Sequence, residues 1–373
     1  MTQYVGAISG TSVDGLDLAL VQVTDDAVTI SAGAVKAFPE SLAGNLRGLA
    51  AAGANEVFRV GIADATLGEF VGQAVLGFLA ELGIAPEAVR AIGSHGQTIR
   101  HHPEAEPPFT VQIGDAHRIA EITGIDTVAD FRRRDMAAGG EGAPLTPLFH
   151  DALFRHAVRH RVVLNLGGIA NVTILPAASR SILGFDTGPA NALMDAWTQH
   201  AFGERYDAAG ERAAGGTSIP ALLEALLTDP YLNRAPPKST GKETYNLAYV
   251  QRMCRKAGIA ADGAATDVLA TLAEFTAASV AGALARWGPA SGDLVTAGGG
   301  RLNRHLMSRI AHRAETFDVT ISDDHGIHGD HLEAAAFAWL AHRTLEGLPG
   351  NAPEVTGASA PRVLGAIHPG RGP

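Results

Sequence analysis

Three glycine turns and a small set of charged side chains carry the chemistry open to this sequence. The first turn is Gly10-Thr11-Ser12-Val13-Asp14-Gly15-Leu16-Asp17, flanked on both sides by apolar runs. Such a hairpin offers consecutive backbone N–H groups, two hydroxyls and two carboxylates. That set can hold a phosphate and position a hydrated Mg²⁺, with Asp14 as the expected metal ligand. An ordinary hairpin rich in turn residues would look the same taken alone. Gly167-Gly168 makes a second turn, and Gly298-Gly299-Gly300 follows the apolar residues 294–297 and precedes a helical pattern. Two hairpins facing each other across a cleft could grip a nucleotide, with a flat base lying against the backbone of the triplet. Neither G-x-x-x-x-G-K-[ST] nor a G-x-G-x-x-G between strand and helix occurs, so P-loop and Rossmann readings lose their main support.

Asp186 follows the apolar residues 182–185 and precedes Thr187-Gly188-Pro189, with a helical pattern from Asn191. Proline suits a first helical turn. The carboxylate is therefore expected at a strand end facing a helix N-terminus, where an ionised base is favoured; a plain helix cap is the competing reading. Asp130, Arg132, Arg133, Arg134 and Asp135 form a charged knot ahead of residues 137–144. The knot either binds an anionic substrate or is a solvated ion-pair cluster. His95, Gln97 and Thr98, in Ser94-His95-Gly96-Gln97-Thr98, are expected to close a strand and begin a loop. They suit sugar hydroxyls, although a structural hydrogen bond would account for His95 as well. Glu333, early in an apolar helical run, is a dipole partner or a ligand contact. His325, His328 and His331 have near-ligand spacing, but Gly326 and Gly329 interrupt any helix that would align them, and a solvated loop is expected.

The elements that must position these groups follow a repeated pattern. Apolar runs at residues 4–9, 16–23 and 28–38, separated by turn signals, predict a three-strand antiparallel meander. Helices are predicted over 41–52, 55–82 and 115–123, with strands over 89–94 and 109–113. The order then recurs: strands at 161–166, 171–175 and 181–185, helices at 191–200, 219–227, 246–256 and 266–287, a strand at 293–297, a helix at 303–313, a strand at 317–322 and a helix at 331–345. Repeated topology without sequence identity predicts duplicated halves. Each is expected to hold a mixed five-stranded sheet, with residues 350–373 returning to the first.

Composition narrows the function classes. The 373 residues include 29 Lys and Arg against 39 Asp and Glu, a net charge of −10. A nucleic-acid binder would need clustered cations that release counterions. With 46 % hydrophobic and 18 % charged residues the chain can bury one or two full cores. The 44 glycines exceed the roughly 26 of average usage and imply many tight turns or close approach of backbone to a ligand. One cysteine, Cys254, excludes an intramolecular disulfide. No segment reads as a membrane span or a signal peptide, so a cytoplasmic protein is expected.

In this order the motifs resemble the anhydro-N-acetylmuramic acid kinase family, of the sugar kinase, Hsp70 and actin superfamily. The resemblance covers nearly the whole chain. It rests on residues 9–17, Gly93-Ser94-His95-Gly96-Gln97-Thr98, Asp130-Phe131-Arg132-Arg133-Arg134-Asp135 and Asn165-Leu166-Gly167-Gly168-Ile169-Ala170-Asn171. It continues through Gly184-Phe185-Asp186-Thr187-Gly188-Pro189, Pro237-Lys238-Ser239-Thr240-Gly241, Gly298-Gly299-Gly300 and residues 333–341. The chain departs from the family pattern in having Glu141 where Gln is usual, Ala190 where Gly is usual, and Val13 where Met is common. The first adds a negative charge near an anion-contact loop. The second implies that Ala190 has an ordinary helical φ, and the third is a tolerable exchange.

The resemblance implies an α/β, duplicated actin-like (ribonuclease H-like) two-domain fold with an interdomain cleft. The expected domains are residues 1–130 plus 350–373, and 131–349. It further implies an enzyme of peptidoglycan recycling that uses ATP and Mg²⁺, opens the 1,6-anhydro ring of anhydro-N-acetylmuramic acid with water and phosphorylates the 6-hydroxyl. ATP is expected between the Gly10 to Asp17 and Gly167-Gly168 turns, with adenine beside Gly298, Gly299 and Gly300. Asp186 maps to the base that activates water and Glu333 to a sugar contact, with His95, Gln97, Thr98, Asp130 and Arg132 as further substrate-binding residues. Partners are the anhydro-sugar, ATP and water, with no nucleic acid or membrane; a homodimer is left open. The rivals are a kinase of the same fold acting on a free sugar, and an actin-like nucleotide-dependent binding protein without transfer activity.

Overall fold

In the computed structural model the described residues are 1–10, 13, 15–24, 27–260 and 264–370. Thr11, Ser12 and Asp14, expected in the first phosphate turn and including the Mg²⁺ ligand, lie outside them. The chain divides into two compact units, Met1–Leu153 with Asp330–Pro373, and Phe154–Gly329.

The first unit opens on β1 (Thr2–Ser9), β2 (Gly15–Val23) and β3 (Val28–Ala37), paired antiparallel as the apolar runs predicted. Then come α1 (Glu40–Gly48), α2 (Glu56–Glu81), β4 (Val89–His102), β5 (Phe109–Ile113), α3 (Ala116–Thr123), β6 (Thr127–Ala129), α4 (Arg133–Ala137) and α5 (Thr146–Phe154). In the second unit β7 (Arg161–Leu166), β8 (Ile169–Leu175) and β9 (Leu183–Pro189) form the matching meander. Helices α6 (Asn191–Phe202), α7 (Glu211–Ala214), α8 (Pro220–Leu227), α9 (Leu247–Lys256) and α10 (Ala265–Trp287) follow, then β10 (Gly292–Ala297), α11 (Arg304–Arg313) and β11 (Phe317–Ile321). The chain returns to the first unit with α12 (Leu332–Leu345), α13 (Pro353–Thr356) and β12 (Ala366–His368).

The two sheets share one wiring. The first runs β3-β2-β1-β4-β6 and the second β9-β8-β7-β10-β11, each with an antiparallel meander and two further strands parallel to its first. This is the duplicated actin-like arrangement. The first sheet exceeds the five strands expected: β12 joins β6 and β5 pairs with β4, making seven. The extension arises because β4 does not stop near Ser94 but continues to His102, where β5 satisfies its backbone.

The unit boundaries fall at 153/154 and 329/330 rather than at the expected 130/131 and 349/350. The reason is packing. Helix α12 lies on β1, β2 and β4, and it can do so because Gly6 and Gly93 are register partners on adjacent strands. A Cβ on Gly6 would collide with the Ala334 carbonyl, and one on Gly93 with the Phe337 carbonyl, so two glycines let a helix backbone rest directly on the sheet. No segment was expected to read as a membrane span, yet α2 and α10 are long and apolar enough to cross one by length and composition. Helix α10 is the core of its own unit, where Leu272, Phe275 and Val280 pack with Val162, Leu164 and Leu166 of β7.

Candidate functional site

His95 owes its position to a bulge. The β1–β4 ladder pairs Ala7 with Ser94 and then Ile8 with Gly96, so His95 is the extra residue, and Gly96 takes φ +72°. Bulges of this kind re-aim a side chain without ending a strand. His95, Gln97 and Thr98 therefore lie within β4, not in a loop after it. The His95 ring lies 4.6 Å from that of Phe337 on α12. Its Nε2 accepts from Arg132 Nε at 2.9 Å, and its Nδ1 is 3.0 Å from the Gly96 carbonyl. Arginine can only donate and a carbonyl can only accept, so the neutral tautomer with the proton on Nδ1 is the one both contacts allow. Burial, reinforced by the Arg132 charge, lowers the His95 pKa to about 3.

Arg132 links this histidine to the loop after α4, donating through Nη1 to the Gly142 carbonyl at 2.8 Å. Burial brings its pKa down to about 10, opposed first by Glu333 and then by Asp135, and it stays cationic at neutral pH. Glu333, in the first turn of α12, keeps an open surface although protein atoms crowd it. That crowding raises its carboxyl pKa, against the pull of Arg132. Beside them Ser9 Oγ donates to Gln97 Oε1, and Gln112 Nε2 donates to Thr98 Oγ1 at 3.1 Å. Ser94 Oγ is buried without a hydrogen-bond partner. The result is a polar cluster of His95, Gln97, Arg132 and Glu333 on the first unit.

Asp130 does not join that cluster. It sits at φ +59°, accepts from Arg133 at 3.2 Å, and lines a separate recess of about 1040 Å³ with Phe109, Arg134 and Arg362. Burial raises its carboxyl pKa and Arg133 opposes the rise. Asp135, the other end of the charged knot, is fully buried and holds structure together. Its Oδ1 accepts from Asn351 Nδ2 (2.6 Å) and Thr356 Oγ1 (2.8 Å), and its Oδ2 accepts from the Gly142 amide (2.8 Å). The Glu141 amide donates to the Thr356 carbonyl, part of the same docking of the loop on the C-terminal segment.

In the second unit, Asp186 lies in the middle of β9, opposite Asn171 of β8, rather than at a strand end. The strand continues to Pro189 because the ladder with β8 continues to Ile169. Asp186 Oδ2 accepts from the Thr240 amide at 2.9 Å, its backbone N–H donates to the Lys238 carbonyl at 3.2 Å, and its own carbonyl accepts from Tyr231 Oη at 3.0 Å. The Asp186 carboxylate is not the cap of α6. That helix is capped by the Gly167-Gly168 turn, whose carbonyls accept from the amides of Ala190, Asn191 and Ala192. Ala190 is buried with φ −119° and ψ −109°, outside the helical region expected for it.

The three glycines of the triplet differ. Gly298 has φ +75°, and a Cβ there would strike Asn165 Oδ1; one on Gly300 would press on Leu166; one on Gly299 would meet open space. Of the first phosphate turn, Gly10, Val13, Gly15, Leu16 and Asp17 are described. Val13 carries φ +52°, a left-handed conformation that a β-branched residue adopts only under strain, so its exchange for Met is less neutral than expected. Among the described residues no group of three or more His, Cys, Asp or Glu side chains could hold a metal ion. His325 instead pairs with Thr320 at 3.0 Å.

The surroundings of Asp186 are not legible in the sequence, because nothing local in Pro237-Lys238-Ser239-Thr240-Gly241 shows that its amide and carbonyl bracket a carboxylate some fifty residues earlier in the chain.

The chain is similar to known proteins over nearly its whole length. The family described as "Anhydro-N-acetylmuramic acid kinase" matches residues 2–370. The chain is 47 % identical over 367 residues to the anhydro-N-acetylmuramic acid kinase of Coxiella burnetii, covering 98 % of this chain and 97 % of that one. It is 49 % identical over 375 residues to the enzyme of that name from Xanthomonas campestris pv. campestris, with 98 % and 97 % covered. The Xylella fastidiosa enzyme is 47 % identical over 371 residues, with 98 % and 96 % covered. With the family match spanning residues 2–370 and relatives 47–49 % identical over nearly the full chain, this chain belongs to the anhydro-N-acetylmuramic acid kinase family.

Proposed function

We propose that the protein uses ATP to convert anhydro-N-acetylmuramic acid and water into N-acetylmuramic acid 6-phosphate and ADP. Asp186 takes a proton from water as the water oxygen bonds to the anomeric carbon. The bond from that carbon to the bridging oxygen breaks, and the bridging oxygen then bonds to the γ-phosphorus as the phosphorus–oxygen bond to ADP breaks. The proton on Asp186 is afterwards released to solvent. The observation that carries this reading is the hold on Asp186, a carboxylate fixed through side chain and backbone by Thr240, Lys238 and Tyr231. A base restrained in this way suits a reaction that depends on orientation.

Sugar contacts are assigned to His95, Gln97, Thr98, Arg132 and Glu333. Neutral His95 and cationic Arg132 offer both hydrogen bonding and a charge for the substrate's carboxylate. Asp130, which lines the other recess, is withdrawn to a lesser role in ordering Arg133. Phosphate and adenine contacts are assigned to the turns at Gly10, Gly15, Gly167, Gly168 and Gly299. Mg²⁺ bound with ATP would neutralise charge on the phosphates. The carboxylate oxygens of Asp14 and Asp17 are hard donors of the right chemistry for it. Such a reaction fits the cytoplasmic recycling of peptidoglycan fragments.

The test is incubation with ATP and the anhydro-sugar in H₂¹⁸O, followed by mass spectrometry. The expected product is a ring-opened 6-phosphate with ¹⁸O on the anomeric carbon. Phosphorylation of a free sugar only, or nucleotide binding with no phosphorylated product, would replace this reading with one of the two rivals.

A further inference from the structure

Behind Asp186 sits a side chain whose burial calls for an explanation. Lys238 is 4 % exposed. Its Nζ donates to the carbonyls of Tyr231 (3.2 Å) and Leu232 (3.3 Å), and it lies 4.7 Å from the ring centroids of Tyr231 and Trp287 and 5.6 Å from that of Phe185. An ammonium has three protons to place. Here two go to carbonyls, and the remaining charge faces the negative faces of three rings, which offsets part of the cost of removing it from water. A methionine would fill the same cage with no charge to bury, so packing alone does not account for a lysine.

The groups that the ammonium ties together are the ones that hold Asp186. The 3₁₀ turn Pro230–Asn233 supplies Tyr231, whose hydroxyl donates to the Asp186 carbonyl. The segment from Lys238 to Thr240 accepts from the Asp186 amide and donates to its Oδ2. Lys238 Nζ, rooted in that segment and bonded to the turn, joins the two halves of the bracket. We propose that Lys238 is a positioning residue for this reaction: its buried ammonium locks the turn and the segment together so that the Thr240 amide holds the Asp186 carboxylate in its working orientation. The inference rests on the reading of Asp186 as the base.

Charged groups around the ammonium set its response to pH. Burial comes first in lowering its pKa to about 8, followed by Arg286 and Arg234, with Asp186 acting against them. Arg286 also donates to the Leu232 carbonyl at 3.1 Å, and the Arg234 guanidinium lies over the Tyr231 ring, 5.8 Å from its centroid, so both are neighbours of the cage. Loss of the proton near pH 8 removes the attraction to the three rings and one N–H, loosening the bracket.

The experiment compares Lys238→Met, Lys238→Arg and Asp186→Asn with the unaltered enzyme, measuring kcat, the KM values for ATP and anhydro-sugar, and kcat against pH. A misaligned base should lower kcat of Lys238→Met about 10- to 100-fold, as expected for a displacement of the order of an ångström, with both KM values within about threefold. The unaltered enzyme should lose kcat on an alkaline limb near pH 8. Lys238→Arg, which keeps its charge, should recover part of the kcat and lose that limb. Normal kcat in Lys238→Met, or an unchanged alkaline limb in Lys238→Arg, overturns the positioning role while leaving the base in place. Normal turnover in Asp186→Asn instead overturns the reading of the base. Should Lys238→Met not fold, the pH profiles of the unaltered enzyme and Lys238→Arg decide the question.

Discussion

With Asp186 as the proposed base, its exchange for asparagine should separate catalysis from architecture. Its Oδ2 accepts from the Thr240 amide at 2.9 Å, and the amide oxygen of asparagine can accept the same bond. Replacing a charged acceptor by a neutral one lowers the bond from about 1.5–3 to about 0.5–1.5 kcal/mol, so stability should fall by about 1 kcal/mol. Loss of the proposed general base should cost more. A factor of about 100–10,000 in kcat corresponds to roughly 3–5 kcal/mol of barrier. Asp135 is the natural control, being fully buried with three donors on its two oxygens. An asparagine there must turn an NH₂ toward at least one of those donors, leaving buried groups unpaired at about 1–3 kcal/mol each. Asp135 also holds the Gly142 amide, and the Gly142 carbonyl holds Arg132, so the KM for the sugar should rise more than kcat falls. Steady-state kinetics and thermal unfolding of both variants check the assignment. Near-normal turnover in Asp186→Asn, with collapse in Asp135→Asn, would refute it.

Two further outcomes are expected. Gly299→Val, whose Cβ enters open space, should keep the melting temperature and weaken ATP binding by calorimetry, whereas Gly298→Val, at φ +75° and against Asn165, should lower the melting temperature; equal ATP affinity in Gly299→Val would remove the triplet from the adenine site. His95 is neutral when folded, with a pKa of about 3 against an unfolded value near 6.5, so its contribution to stability is present above pH 6.5 and is lost as pH falls toward 3. His95→Gln should therefore show a shallower loss of stability between pH 6.5 and 4 in denaturant titrations, and equal slopes would contradict the buried neutral ring.

Much of the scaffold is local and was legible in the residues. The apolar runs of β1, β2 and β3 stand out because each strand is a short hydrophobic segment closed by turn residues. Helices α8, α9 and α10 lie within a residue or so of their predicted ends because amphipathic periodicity and proline or asparagine starts act over a few residues. The glycine turns, Arg132, Asp186 and Glu333 could be chosen as candidates because their chemistry belongs to residue type.

Contacts between distant segments decided the rest. Asp186 looked like a strand end, since Gly188 and Pro189 follow it, but pairing with β8 carries β9 onward to Pro189. The loop expected after Ser94 became strand because β5 was available to take up its backbone groups. Asp135 resembled an exposed member of a charged run; its burial depends on Asn351 and Thr356, more than two hundred residues away. Gly6 and Gly93 acquire meaning only from a register that makes them neighbours beneath α12. Residue type and short-range spacing determined which groups could do chemistry and which segments could be strands or helices. Where each group sits, and whether it serves the reaction or the fold, was decided by the tertiary structure, because pairing, burial and pKa depend on partners that the chain brings together only when it folds.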